Sequence, residues 1–210
     1  MPATTDTASA AVLSLDTIDE LLAASRCRKL WYRHFVHRSA VALILRRGRE
    51  GLEVLMIKRA ERAGDPWSGH MAFPGGRAEK RDASNLHTAR RETWEEIGLD
   101  TERFTRHHGR LSDLFAGLRR GRRPMVITPY LFSITELPDL AINQEVDRVI
   151  WVPLPFLAEH GNRRQMQWQG PRGARQLPCY FYREQRIWGL SLMMLDELIA
   201  LLSDELLSLR

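Results

Sequence analysis

Glu92, Glu95 and Glu96 stand at i, i+3 and i+4 in a stretch free of glycine and proline, so on a helix all three share one face. Three like charges within one turn repel one another by roughly tenths of a kcal/mol per pair when exposed. A divalent cation removes that repulsion, and hard carboxylate oxygens select magnesium or manganese. Ahead of them lies Phe73-Pro74-Gly75-Gly76, a rigid turn followed by two residues without side chains. Backbone there approaches an ion or ligand closely and offers a carbonyl of Gly75 or Gly76 as one more oxygen ligand. An acidic helix face alone is usually solvated, and a Gly-Gly pair alone is usually a turn. Their combination points to chemistry.

The elements that must hold these groups are legible around them. Asn85 to Ile97 has no glycine or proline, contains many helix formers and stops at Gly98, which predicts a helix. Upstream, Ser39–Leu45 and Leu52–Ile57 flank a Gly48/Gly51 turn and predict a hairpin, with Met71–Phe73 as a short strand. Downstream, strands are expected at 109–114, 125–133, 146–152 and 180–182, a long polar loop at 161–178, and a helix from Leu190 to Leu207. Near the start, Ser14 or Asp16 caps a short helix carrying Ile18, Leu21 and Leu22, after a mobile stretch at 1–12. The tryptophans, Trp94 included, read mostly as core. Strands interleaved with helices and no linker predict one mixed α/β domain at 38–210, preceded by an extension at 1–37.

Composition narrows the classes further. The chain has 210 residues, 44% of them hydrophobic and 27% charged, which excludes fibrous and disordered readings. No apolar run approaches the roughly 20 residues that cross a bilayer, and no membrane partner is expected. The acidic start does not resemble a secretory signal, and two cysteines, Cys27 and Cys179, make no disulfide framework, so a cytoplasmic setting is expected. The net charge of +5 rests almost wholly on arginine, since only Lys29, Lys58 and Lys80 are lysine. Arg119, Arg120, Arg122 and Arg123 cluster in one segment. A nucleic-acid partner is not the expectation, but that cluster is the place to look for one.

The run Gly76…Arg91-Glu92-Thr93-Trp94-Glu95-Glu96-Ile97-Gly98-Leu99 resembles the Nudix box, the signature of hydrolases that cleave nucleoside diphosphates linked to another moiety. Asp82 stands where the box has its first glutamate, one extra residue precedes Arg91, and Thr93 replaces an aliphatic side chain. The first two features also occur in the branch of coenzyme A pyrophosphatases, which Asp65–Phe73, Thr128-Pro129-Tyr130, Trp151–Leu154 and Ile187–Leu190 resemble as well. The resemblance implies a Nudix-type α/β/α sandwich with a mixed sheet. It also implies Mg2+- or Mn2+-dependent hydrolysis of a pyrophosphate bond in a small-molecule nucleotide. Coenzyme A or acyl-CoA is the leading substrate. ADP-ribose, a dinucleoside polyphosphate or a damaged nucleotide is the alternative, as is a non-catalytic nucleotide- or RNA-binding module. A homodimer is compatible with all of these.

By the same resemblance Glu92, Glu95 and Glu96 bind metal with the Gly75 or Gly76 carbonyl, Arg91 orients a carboxylate, and Asp82 supports it. A further carboxylate is expected from outside the box. Glu145, six residues before Trp151, is the candidate, with Asp147 and Glu136 behind it, and either Glu92 or Glu145 is the general base. Arg59, Arg77 and His70 are candidate substrate contacts, and Trp67 is the candidate stacking platform for an adenine.

Overall fold

Two aliphatic runs form one long hairpin, in which β1 (His37–Gly48) turns into β2 (Gly51–Arg59) with Gly48 opposite Gly51. Gly51 has φ +113°, a backbone setting that side chains with a Cβ rarely adopt. The computed structural model describes residues 17–64, 67–117, 124–170 and 173–207. The arginine cluster at 119–123 and the start of the chain at 1–16 lie outside the described residues.

The hairpin is the centre of an eight-stranded sheet. Short β3 (Met71–Ala72) and long β8 (Val146–Pro153) pair with β2, while β4 (Gly75–Arg77) pairs with β1. On the other side β7 (Met125–Ile134) runs parallel to β1 and carries β5 (Thr105–Arg110) and β6 (Leu114–Ala116) antiparallel. The sheet is therefore mixed. The single strand expected at 109–114 is instead two, β5 and β6, separated where Asp113 turns inward to be fully buried.

Strand alternation divides the aliphatic residues between two cores. Ala42, Ile44, Leu55, Ile57 and Phe132 face the helix α2 (Asn85–Ile97), meeting Ile97 and Leu99. Leu43, Leu45, Val54, Met56 and Leu131 face the opposite layer. That layer contains α1 (Thr17–Ala24), α4 (Leu154–Ala158) and α5 (Gly189–Leu207), through Ile18, Leu157, Leu195, Leu198 and Leu202. The result is an α/β/α sandwich.

Helix α2 has the limits that its sequence sets. Ser84 caps it by accepting from the His87 N–H at 3.1 Å, and Gly98 ends it in the left-handed region at φ 67°. Thr93, in an aliphatic position of the motif, is fully buried and donates its hydroxyl to the Ala89 carbonyl at 2.7 Å, so the polar atom carries no unmet hydrogen bond. Trp94 is not core. It lies on the outer face of α2 and is 59% exposed, because the inward row of the helix is taken by Ala89, Thr93 and Ile97.

The expected loop at 161–178 is a correction. It folds as β9 (Arg164–Gly170) and β10 (Gly173–Tyr182), which with β11 (Gln185–Trp188) make a second, three-stranded sheet. The alternation that marks it is short, Met166 and Trp168 set between Gln165, Gln167 and Gln169, and the polar residues around it conceal it. α3 (Thr101–Phe104) is a single turn after Asp100, whose carboxylate accepts from Glu102 and Arg103 N–H groups.

Candidate active site

The glycine pair and the acidic helix come together because β4 lies against β1 while α2 packs over both. The Gly75 N–H donates to Glu96 Oε2 at 2.8 Å. Glu92 lies against the bare Cα of Gly76, where a Cβ would come within 2.4 Å of the Glu92 carboxyl carbon. Gly75 is just as closely held on its other side, since a Cβ there would sit 2.3 Å from the Ala40 carbonyl. Both positions therefore need glycine for closeness, and Gly75 also for its φ of +152°.

The two carbonyls of the pair differ. Ala42 N–H donates to Pro74 and Ala78 N–H to Arg38, so alternation places Gly76 opposite Ala40 in the bonded set and Gly75 in the unbonded set. The Gly76 oxygen, an expected metal ligand, also accepts from the Ser39 hydroxyl at 2.5 Å. That leaves the Gly75 oxygen as the carbonyl not used by the ladder. Ser39 had no signal in the sequence, because its partner is set by strand register and not by spacing.

Charge in the cluster is unevenly matched. Glu96 is 3% exposed, and burial, the dominant cause, raises its pKa to about 8, with the Glu92 and Glu145 charges adding to the shift. Burial also raises Glu92, against the pull of Arg91 and with the help of Glu95 and Glu145. Arg91 is the organising cation. Its guanidinium spans Asp82 (2.9 and 3.1 Å), Glu92 (3.0 Å), Glu95 (2.9 Å) and the Arg77 carbonyl (3.0 Å). Asp82 also accepts from Thr88 and the Glu79 N–H, and the Arg91 hydrogen bonds hold its carboxyl well below the usual range.

The acids do not all converge. Glu95 is turned towards arginine, with Arg81 on one oxygen at 3.1 Å and Arg91 on the other at 2.9 Å. Among the described residues, no group of three or more carboxylates, cysteines or histidines is placed to hold a metal ion. What the cluster offers is two carboxyl groups, half-buried Glu92 and buried Glu96, beside a bare peptide. Each is raised in pKa by burial, so that a bound cation would favour the ionised form. Hard carboxylate oxygens fit a magnesium or manganese ion.

Glu145 stands just before β8, where its charge acts on both Glu92 and Glu96. Its backbone is held by Asn143 and by the Ala60 N–H, and its carboxylate reaches Arg62 at 3.5 Å. Asp147 is drawn away to Lys58 at 3.3 Å and to Arg148, and Glu136 is exposed. Arg59, at the end of β2, draws on the Glu96 charge from a distance. Arg77 is exposed beside the glycine pair. His70 packs edge-on against Trp188 with ring centres 5.2 Å apart, and Trp67 is partly covered on the turn before it.

The NUDIX domain model matches residues 36–169. The chain belongs to the Nudix family. A mouse relative, mitochondrial coenzyme A diphosphatase NUDT8, is 31% identical over 78% of this chain and 76% of its own length. A fission yeast protein, uncharacterized protein C14C4.10c of Schizosaccharomyces pombe, is 38% identical over 50% of this chain, which spans only 32% of that protein. Among solved structures, a Caenorhabditis elegans Ap4A hydrolase complex has the same Nudix fold at a TM-score of 0.54, 19% identity, 80% coverage of this chain and 99% of its own. In Nudix terms, the box spans β4 to the end of α2, and Arg91 ties its first half to its second.

Proposed function

We propose that this Nudix chain hydrolyses the pyrophosphate bond of coenzyme A or acyl-CoA, giving 3′,5′-ADP and phosphopantetheine or its acyl form. The observation that carries the reaction type is the placement of Glu92 and Glu96 around the Gly75–Gly76 backbone. The coenzyme A assignment draws its support from the mouse relative, whose printed name is a coenzyme A diphosphatase.

Glu92 and Glu96 are the proposed metal ligands, with Glu95 behind them and the Gly75 carbonyl completing the oxygen set. Bound there, magnesium or manganese would neutralise charge on the diphosphate oxygens and lower the pKa of water. The protein's own part is positional. Arg91 fixes the carboxylates of Glu92 and Glu95 through a fork that a lysine could not reproduce. Asp82 holds Arg91 in turn. Glu145, unlike Glu95, has no tight arginine pair and is partly exposed, so either it or Glu92 accepts a proton from the attacking water. Arg59, Arg77 and His70 are the proposed contacts to the phosphates, and Trp67 to the base. The named mouse relative is mitochondrial, so the compartment is a separate question from the reaction.

Purified protein incubated with coenzyme A and manganese should release 3′,5′-ADP and phosphopantetheine. Glu96→Gln should lower that turnover at least about a hundredfold, the scale expected when a metal ligand is lost. Release of neither product overturns the substrate. Near-wild-type turnover by the variant overturns the metal assignment.

A further inference from the structure

The β9–β10 ribbon ends in an open strand edge. The turn at Arg183–Glu184 has φ 46° and 65°, the setting of a two-residue hairpin whose closing residues, Tyr182 and Gln185, exchange hydrogen bonds. Alternation from that pair directs Tyr182, Tyr180 and Pro178 towards β11, and Cys179, Leu177, Arg175 and Gly173 towards β9. Pro178, which has no N–H to give, falls beyond the last residue of β11 and leaves no bond unmade. On β9 the partners of the inward set are Arg164, Met166, Trp168 and Gly170. Gln165, Gln167 and Gln169 therefore turn their backbone N–H and C=O groups outward. All three are exposed, and among the described residues no other strand pairs with this edge.

Open edges are normally guarded by lysine, proline, an inward charge or a bulge. From Gln165 to Gly170 this edge has none of them, and its register with β10 runs without a shift.

We propose that β9 pairs with β9 of a second copy of this chain, antiparallel about a two-fold axis through Gln167. In that register Gln167 faces Gln167 of the partner subunit, and Gln165 faces Gln169 of the partner subunit. These are the outward residues, so three opposed pairs form hydrogen-bonded rungs and complete the ladder. On the alternate face Met166 lies opposite Trp168 of the partner subunit, an apolar–aromatic cross-strand pair made twice by symmetry. Arg164 falls opposite Gly170 of the partner subunit, so the two Arg164 charges stand at opposite ends and do not repel. Two three-stranded sheets become one of six strands. The contact is self-complementary, as a two-fold interface must be.

Sedimentation equilibrium across a concentration series tests this on the full chain. The wild type should pass from monomer to dimer mass as concentration rises. Gln167→Lys, which sets two ammonium groups face to face, should stay monomeric, and so should Gln167→Pro, which removes the central N–H at an edge position that tolerates proline. The register has its own readout. Gln167→Cys should form an intermolecular disulfide on mild oxidation, because the axis brings the residue opposite itself, whereas Gln169→Cys should not. A monomer at every concentration overturns the proposal. So does a dimer that persists in both Gln167 variants while their circular dichroism matches the wild type, or a disulfide forming equally well from position 169.

Discussion

The Gly75 N–H and the Glu96 carboxylate, 21 residues apart in sequence, meet at 2.8 Å. That bond joins the two halves of the box across the β4–α2 boundary. It places a buried acid on the residue whose own carbonyl the sheet does not use, and its companion Glu92 fills the space left by the missing side chain of Gly76.

The two glycines should respond differently to alanine. At Gly75 a Cβ meets the Ala40 carbonyl at 2.3 Å and the φ is +152°, so backbone has to move. Gly75→Ala should cost about 3 kcal/mol in a denaturant titration, from strain and overpacking together. At Gly76 the obstacle is the end of the Glu92 side chain. Gly76→Ala should leave most of the stability in place and lose turnover, because Glu92 is displaced. Equal stability losses for the two variants would contradict this distinction.

Asp82 and Arg91 form a buried pair, with side chains 1% and 9% exposed. Removing one partner strands the other, which typically costs about 3–5 kcal/mol. Asp82→Asn should therefore lower unfolding free energy on that scale. It should also disturb metal affinity, since Arg91 would lose its anchor. Because Asp82 ionises below its usual range when folded, its contribution is present at neutral pH and is lost as pH falls through the acid range.

Glu96 has the opposite sign. An unfolded glutamate ionises near 4.5, while burial keeps Glu96 protonated up to about 8 in the folded chain. Between those values the folded state binds the extra proton, so the Glu96 contribution to stability declines as pH rises. In the presence of a chelator, Tm should fall across that window more steeply than for Glu96→Gln. Excess manganese favours the ionised carboxylate and should flatten the wild-type slope. Parallel profiles for wild type and variant in chelator would show that Glu96 is not the group responsible.

Much of this was readable in advance where local chemistry decides the outcome. α2 begins after Ser84 and ends before Gly98 because a side-chain cap and a left-handed residue act within one turn. The hairpin of β1 and β2 followed from aliphatic runs around glycines. What depended on distant packing was not readable. Trp94 has a core composition and a surface position, since helix phase against the sheet decides its exposure. In the β9–β10 ribbon the alternation of Gln165, Gln167 and Gln169 with Met166 and Trp168 is short and set among polar and arginine residues, so it reads as loop until β10 pairs with it. In the site, spacing alone set Glu92, Glu95 and Glu96 on one side of a helix, but Arg81, brought in by the loop before α2, draws Glu95 aside. The engagement of the Gly76 carbonyl by Ser39 depends on the register of β4 against β1.

Anomalous scattering from manganese in crystals of the loaded protein locates the ion directly. The peak should lie between the carboxylates of Glu92 and Glu96, within bonding reach of the Gly75 oxygen. A peak elsewhere on the chain, or none there at saturating manganese, would contradict the assignment of this acid-and-glycine cluster as the catalytic metal centre.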